Sequence, residues 1–162
     1  MQLNIEINIE HKEWNSCFKN IRKQFKSLCE IVLKEAGFIE YAKTVELSVL
    51  LTSDYKIKEI NKKYRSKDKP TNVLSFPGEK FEVGQYADLG DYIMLGDLAF
   101  ALEVIVAEAK DQDKKITDHF YHLVTHGLLH LLGYDHVNDN DAKIMENLEV
   151  KILSNLGIAN PY

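Results

Sequence analysis

The sequence is organised around the stretch His126-Gly127-Leu128-Leu129-His130-Leu131-Leu132-Gly133-Tyr134-Asp135-His136, which holds three of the six histidines. His126 and His130 are four residues apart, so on a helix both imidazoles lie on one face, about 6 Å apart along the axis. Gly133 can end that helix in a left-handed conformation and turn the chain back. His136 follows after enough chain to reach the same point. The spacing predicts one metal ion held by His126, His130 and His136, with an open fourth position.

The same spacing, H-E-x-x-H-x-x-G-x-x-H, is found in the metzincin proteases, with one difference. Gly127 stands where a protease has the glutamate that activates water. This difference leaves the spacing of a three-histidine site unchanged but removes the general base of the protease. We therefore expect a substrate whose hydrolysis does not require that glutamate. A glycine at position 127 is also compatible with close packing of the helix.

Two more histidines, His119 and His122, precede the motif. His122 extends the row of His126 and His130, but the ends of that row lie about 12 Å apart on a helix. One ion with bonds of about 2 Å cannot readily take all three. We expect His119 and His122 to be core, outer-sphere or substrate-side residues. Asp135 is expected either to orient a ligand imidazole or to be solvated at the helix end.

The composition is that of an ordinary globular protein, and its length predicts one domain covering residues 1–162. Hydrophobic residues make up 45% and charged residues 28%. No apolar run reaches membrane-spanning length, and the first residues lack the pattern of a signal peptide. Cys17 and Cys29 fall in one predicted helix, about 18 Å apart, which is too far for a disulfide. These features predict a cytoplasmic protein.

The formal net charge is -5, which disfavours a nucleic-acid partner, but the charges are unevenly distributed. Residues 56–69 carry a local charge of +5. A solvated helix face is one interpretation of this run, and a binding site for a polyanion is the other. The basic residues of the run are Lys56, Lys58, Lys62, Lys63, Arg65, Lys67 and Lys69.

Alternating apolar and polar residues predict strands at 3–9 and 45–51. A short third strand at 71–77 is bounded by prolines, which favours an edge position because proline cannot donate to a ladder. A fourth strand begins at Tyr92, and we expect it to give way to a helix near Gly96-Asp97.

Apolar residues at three- and four-residue steps predict helices between and after the strands. The first is expected to be one long helix from Trp14 to Val32, closed by Gly37. Ser53 or Asp54 can cap the next helix, and Thr117 is predicted to cap the helix of the histidine motif.

The predicted order of elements is β-α-β-α-β-β-α-α-α. This order indicates an α+β fold with a small mixed β-sheet of about four strands and about five helices, in which the metal-binding helix is central. Residues 78–91 contain three glycines and show no clear period. We expect them to form a loop over the site.

Three blocks of this sequence resemble the YbeY family of bacterial rRNA-maturation endoribonucleases. The first is Tyr64-Arg65 with the segment 69–77, read as KPTNVLSFP; the second is Leu95-Gly96-Asp97-Leu98; the third is the histidine motif itself. The resemblance extends over nearly the whole chain, and its last block is highly specific. The family has Asp or Asn at the position of Asn72, so here no fixed negative charge is expected beside Arg65.

The resemblance implies a zinc-dependent, single-strand-specific endoribonuclease in ribosomal RNA processing (16S rRNA 3′ end maturation) and ribosome quality control. It assigns one Zn²⁺ per chain to the three motif histidines and a catalytic role to Arg65. Single-stranded RNA, ribosomal RNA and the ribosome are the expected partners. The lysines expected to follow the RNA backbone with little sequence preference are Lys62, Lys63, Lys67 and Lys69.

The chemistry expected at such a site is metal-assisted hydrolysis of a phosphodiester, in which zinc lowers the pKa of a bound water. Arg65 would pair with the phosphate and stabilise the charge of the transition state. Two alternatives remain open. One is a metalloprotease-like hydrolase with a different base, which the missing glutamate disfavours. The other is a non-catalytic, zinc-stabilised ribosome-associated factor, although a structural site normally has a fourth protein ligand.

Overall fold

Four strands form one mixed sheet in the order β1-β2-β4-β3. In the computed structural model, which describes residues 1–162, these are β1 (Gln2–Ile9), β2 (Thr44–Thr52), β3 (Val73–Pro77) and β4 (Tyr92–Ala101). β1, β2 and β4 are parallel, and β3 runs antiparallel to β4. The expected edge position of β3 is confirmed, and Pro77 at its end occupies a place where a missing N–H donor is tolerated.

Six helices pack around this sheet, which confirms the α+β class. The helices are α1 (Glu13–Cys17), α2 (Ile21–Glu35), α3 (Asp54–Arg65), α4 (Leu102–Asp111), α5 (Ile116–Leu131) and α6 (Asp139–Asn155). The helix of the histidine motif is α5, and it contacts α2, α4 and α6 as well as β3 and β4. The predicted central position of the motif helix is therefore confirmed.

The prediction of one long helix after β1 was wrong. The chain leaves the helical conformation after Cys17, and Asn20 adopts a left-handed conformation with φ 51° before α2 begins. Asparagine tolerates this conformation better than most residues, whereas apolar periodicity contains no signal for such a break. Cys17 and Cys29 therefore belong to different helices, but both are free thiols, as expected.

Two predicted boundaries also shifted. β4 continues through Gly96 to Ala101, because it pairs with β2 along its whole length across one irregularity near Glu46. Thr117 does not cap α5, which begins one residue earlier with Lys115 before it and no side-chain cap. The cap of α3 is Ser53, whose side chain accepts a hydrogen bond from the Lys56 N–H, as the sequence predicted.

Aromatic packing fixes the N-terminal half of α5 against the rest of the core. Phe120 of α5 contacts the rings of Trp14, Phe18, Phe25 and Phe100, with centroids 4.8–6.3 Å apart. All these rings are buried. Since α5 is held at this end by packing, its C-terminal end can present the histidines in a fixed direction. No helix of the structure is both long and apolar enough to cross a lipid bilayer.

Candidate active site

The turn after α5 brings His136 back toward the helix. Gly133 has φ 96°, and its N–H donates to the carbonyl of His130, while the Tyr134 N–H donates to the carbonyl of Leu129. This pair of bonds is the Schellman motif that the position of Gly133 predicted. A Cβ at position 133 would also collide with the carbonyl oxygen of Phe81. Glycine is therefore required here by both conformation and space.

The two helical histidines point their Nε2 atoms at each other. These atoms are 3.0 Å apart. The Nδ1 of His126 lies 2.6 Å from a carboxylate oxygen of Glu149, and the Nδ1 of His130 lies 3.0 Å from the carbonyl oxygen of Tyr134. Both partners are acceptors, so each Nδ1 carries the proton and each Nε2 presents a lone pair. Two lone pairs face each other without a hydrogen between them, an arrangement that a cation would stabilise.

The ring of His136 completes the cluster. Its centroid lies 5.4 Å from that of His126 and 4.9 Å from that of His130. One nitrogen from each of the three rings falls within 4.8 Å of the others, so the group could hold one metal ion. Burial, followed by the neighbouring His126 and His136, lowers the pKa of His130 to about 4. His130 is therefore a neutral imidazole at neutral pH, as a metal ligand must be.

Glu149 of α6 is a fully buried carboxylate behind the cluster. One oxygen accepts from His126, and the other lies 3.3 Å from Nε2 of His122 and contacts the hydroxyl of Tyr162. Burial would raise the pKa of Glu149, but hydrogen bonds from His122 and His126 outweigh it and hold the pKa at about 2. The carboxylate is therefore ionised and acts only as an acceptor.

His119 belongs to a different network. It is buried, and its Nε2 lies 3.0 Å from a carboxylate oxygen of Glu108, to which the amide of Asn72 also donates. The side chain of Asn72 is thus directed toward Glu108. Asp135 accepts from the main-chain N–H of His136 and is exposed. Of the two roles considered for Asp135, the structure therefore favours a position at the helix end over contact with a ligand imidazole.

Gly127 lies where α5 approaches the sheet. A Cβ there would come within 3.0 Å of a Leu98 methyl and 3.4 Å of atoms of Val73 and Ser75. Such contacts are tighter than ordinary packing, so a larger side chain at this position would require the neighbouring side chains to shift. Close packing therefore accounts for the glycine at the position where a metzincin has its general base.

Arg65 and the histidines line the same cleft, which has a volume of about 1130 Å³. Arg65 is the last residue of α3, and its guanidinium donates to the carbonyl of Ser75 at 2.6 Å while its central carbon lies 5.1 Å from the centroid of the Phe76 ring. The side chain is exposed toward the cleft on its remaining sides. It is thus held in place while some of its N–H donors remain available.

The structure separates the four predicted RNA-contacting lysines into two pairs. Lys67 and Lys69 line the cleft. Lys62 lies 3.9 Å from a carboxylate oxygen of Asp68, and Lys63 lies over the ring of Tyr64 at 5.1 Å; neither lines the cleft. Lys80, in the 78–91 segment, lines the cleft too, although the sequence did not single it out. That segment forms part of the cleft wall, as expected.

Glu149 and Tyr162 are the site residues that sequence reasoning missed. Glu149 does carry a signal, because it lies four residues after Met145 and three before Ile152, on the buried stripe of α6. A charged residue on such a stripe indicates a buried polar partner. The Tyr162 ring lies 5.5 Å from that of His122, a contact that spans 40 residues of chain and has no local signature.

An α+β fold with three convergent histidines and an arginine in one cleft indicates a protein with a potential metal site formed by histidines. A family model described as endoribonuclease YbeY matches residues 6–157 of the chain. The chain belongs to the endoribonuclease YbeY family. This confirms the family indicated by the sequence motifs, and the family's description names the class of RNA hydrolase that those motifs predicted.

Individual relatives agree with this assignment. A protein named endoribonuclease YbeY from Francisella philomiragia subsp. philomiragia is 51% identical over 117 residues, which cover 72% of this chain and 73% of the relative. Its counterpart from Francisella tularensis subsp. holarctica is 50% identical over 117 residues, covering 72% and 71%. The solution structure of a Thermotoga maritima protein matches with a TM-score of 0.60 and 28% identity, covering 93% of this chain and 87% of that one.

Proposed function

We propose that this protein is a zinc-dependent endoribonuclease that cleaves single-stranded RNA in ribosomal RNA processing and ribosome quality control. The observation that carries the proposal is the pair of facing, unprotonated Nε2 atoms of His126 and His130, 3.0 Å apart, in the same cleft as Arg65. A tetrahedral zinc ion with bonds of about 2 Å requires ligand nitrogens about 3.3 Å apart. The donor set therefore fits one Zn²⁺ held by His126, His130 and His136.

A bound zinc ion supplies a Lewis acid that lowers the pKa of a coordinated water toward neutrality. The residues of the chain supply the rest. Arg65 presents paired N–H donors to the phosphate and stabilises the negative charge that develops in the transition state. Lys67, Lys69 and Lys80 raise the local concentration of the polyanion and follow its backbone.

Gly127 supports an RNA hydrolase over a metalloprotease, because it lacks the general base that a metzincin uses and packs closely against Leu98 of β4. A purely structural zinc site is disfavoured by the donor set. The three histidines form one group, and the second candidate group, His122, His126 and Glu149, shares only His126 with it. No fourth side chain closes the first group, which leaves a position for water.

The biological setting is an extension of the same proposal. We infer that the chain acts as one hydrolase domain over residues 1–162 and that its substrate is ribosomal RNA, including the 3′ end of 16S rRNA, on or near the ribosome. A cytoplasmic location agrees with the two free cysteines, which are usual in reducing compartments. Membership of the YbeY family supports each of these points.

Substitution of Arg65 by lysine tests the proposal. Lysine keeps the positive charge but loses the planar fork of donors that matches two phosphate oxygens. We expect Arg65→Lys to keep about one zinc per chain and its thermal stability, but to lose about 100-fold to 1,000-fold of its cleavage rate on single-stranded RNA. Removal of the metal with a chelator should abolish cleavage, and zinc should restore it.

Arg22→Lys is the matched control. Arg22 is the chain's other arginine, and it also donates to a main-chain carbonyl, that of Ile7, at 2.6 Å. It lies outside the cleft, so its replacement should leave cleavage unchanged. Wild-type rates in rigorously purified Arg65→Lys, or cleavage that survives removal of the metal, would contradict the proposed function and indicate a contaminating nuclease or a binding role.

A further inference from the structure

We propose that Glu149 is a positioning residue for the metal site: held by His122 and Tyr162, it fixes the tautomer and the orientation of His126. This inference rests on the proposed function, because it concerns how one of the three proposed ligands is prepared for the metal. It assigns a role to a carboxylate and a tyrosine that lie outside the histidine motif.

The need for such a residue follows from the chemistry of imidazole. A neutral ring carries one proton, and the nitrogen that carries it cannot bind a metal. His126 directs Nε2 into the cluster and Nδ1 toward Glu149 at 2.6 Å. An ionised carboxylate only accepts, so it retains the proton on Nδ1 and leaves the lone pair on Nε2.

The tautomers of His126 and His130 are fixed by different kinds of acceptor. The Nδ1 of His130 donates to the main-chain carbonyl of Tyr134, whose position follows from the turn at Gly133. His126 lies one turn earlier on α5, where main-chain carbonyls are occupied by the helix, so its acceptor has to be a side chain. α6 provides that side chain. A substitution can therefore remove the support of His126 without altering the main chain.

Glu149 is itself fixed by three donors. Its exposed fraction is 0%, and a buried carboxylate is tolerated only when its oxygens are paired. Nε2 of His122 donates to the oxygen that His126 does not use, and the Tyr162 hydroxyl donates to the same oxygen. His122 thereby takes a defined tautomer, and its Nδ1 is left buried without a partner. A side chain of the same shape that is not a carboxylate could not accept hydrogen bonds from all three donors.

The expected consequence appears in metal affinity. In Glu149→Gln the side chain keeps its volume, but one oxygen becomes an NH₂ group. If that group faces His126, it favours the tautomer with the proton on Nε2; if it faces His122, it opposes two other donors. We expect zinc affinity, measured by chelator competition on folded protein, to fall about 10-fold to 100-fold. Glu146→Gln removes the same charge from the same helix without breaking a histidine contact, and should leave the affinity unchanged.

Tyr162→Phe removes only the hydroxyl from a ring that is otherwise largely exposed. Because one of the three donors to Glu149 is lost, a smaller decrease in zinc affinity is expected than in Glu149→Gln. An effect confined to thermal stability, with unchanged affinity in both variants, would overturn the inference and leave Glu149 a structural residue. Binding of two ions by the wild type would also overturn it, because Glu149 would then be a ligand.

The wild-type protein provides a measurement that does not depend on any variant. Nitrogen-15 NMR of the metal-free protein distinguishes protonated from unprotonated imidazole nitrogens. His126 must carry its proton on Nδ1, and the opposite tautomer would refute the positioning role even if Glu149→Gln does not fold. If the wild type binds no metal at all, the proposed function fails; if it binds metal and both variants match it, only this inference fails.

Discussion

The cleft has two walls of opposite character. The histidine wall, formed by His126, His130 and His136, rests on buried partners, and two of its rings are fixed by hydrogen bonds of 2.6 and 3.0 Å. The basic wall, formed by Arg65, Lys67 and Lys69, is exposed. A metal ion requires ligand atoms placed within a few tenths of an ångström. A polyanion responds to charge over about 8 Å at physiological salt, so its binding tolerates mobile side chains.

The main chain of the basic wall is nevertheless ordered by hydrogen bonds. Asn61 is buried. Its side-chain amide donates to the main-chain carbonyl of Lys69, and its main-chain carbonyl accepts from the Lys67 N–H. Arg65 differs from the two lysines, because Ser75 and Phe76 hold its guanidinium. Fixed geometry is therefore found where chemistry is expected, whereas charge alone is found where binding of the RNA backbone is expected.

The largest effect is expected on the histidine wall. His130→Ala removes one of the three proposed ligands, and the two remaining imidazoles are not expected to retain zinc at ordinary concentrations. Elemental analysis of the purified variant should show a decrease from about one zinc per chain to near zero. His122→Ala is the comparison, since the ring of His122 lies outside the three-histidine group. At saturating zinc it should keep about one ion per chain, although loss of its hydrogen bond to Glu149 is expected to weaken the affinity. Full metal content in His130→Ala would show that the ligands are wrongly chosen.

The turn that joins the histidines comes next in expected effect. Gly133→Ala introduces a Cβ at φ 96° and against the carbonyl of Phe81. We expect a loss of about 3 kcal/mol in the free energy of unfolding of the metal-free protein, measured in urea.

Gly157→Ala is the matched control for that turn. Gly157 has φ 75°, and a Cβ there would meet no atom within 4 Å, so only backbone strain of about 1 kcal/mol is expected. Equal losses in the two variants would show that the contact with Phe81 does not constrain the turn.

The histidine wall was predictable from the sequence because its information is local. The three proposed ligands and the glycine between them lie within eleven residues, and helix geometry together with one left-handed residue determines how they meet. The order and class of the elements followed from periodicity in the same way. The break between α1 and α2 did not, because Trp14, Phe18 and Ile21 are buried in the broken arrangement just as they would be in a continuous helix.

Residues brought together by tertiary packing were not predictable in this way. Glu149 reaches His126 only because α6 packs on α5, and Tyr162 reaches Glu149 only because the chain after α6 returns to the cleft. The basic run presents the same difficulty, since seven cations in fourteen residues look equivalent in sequence. The directions in which these basic side chains point depend on where α3 ends and on the loop that follows it.

The smallest expected effect tests the basic wall through the salt dependence of RNA binding. Each phosphate neutralised by a lysine contributes roughly 0.7 to the slope of log affinity against log salt for single-stranded nucleic acid. Lys67 and Lys69 line the cleft, whereas Lys62 lies near Asp68 and outside it. We therefore expect Lys67→Gln and Lys69→Gln each to reduce the magnitude of the slope by up to about one unit, and Lys62→Gln to leave it unchanged. The measurement is fluorescence anisotropy of a labelled single-stranded RNA across a salt series, using the metal-free protein to prevent cleavage. A slope that changes only in Lys62→Gln would place the RNA on the outer face of α3, and the cleft would then lose its basic wall as a binding surface.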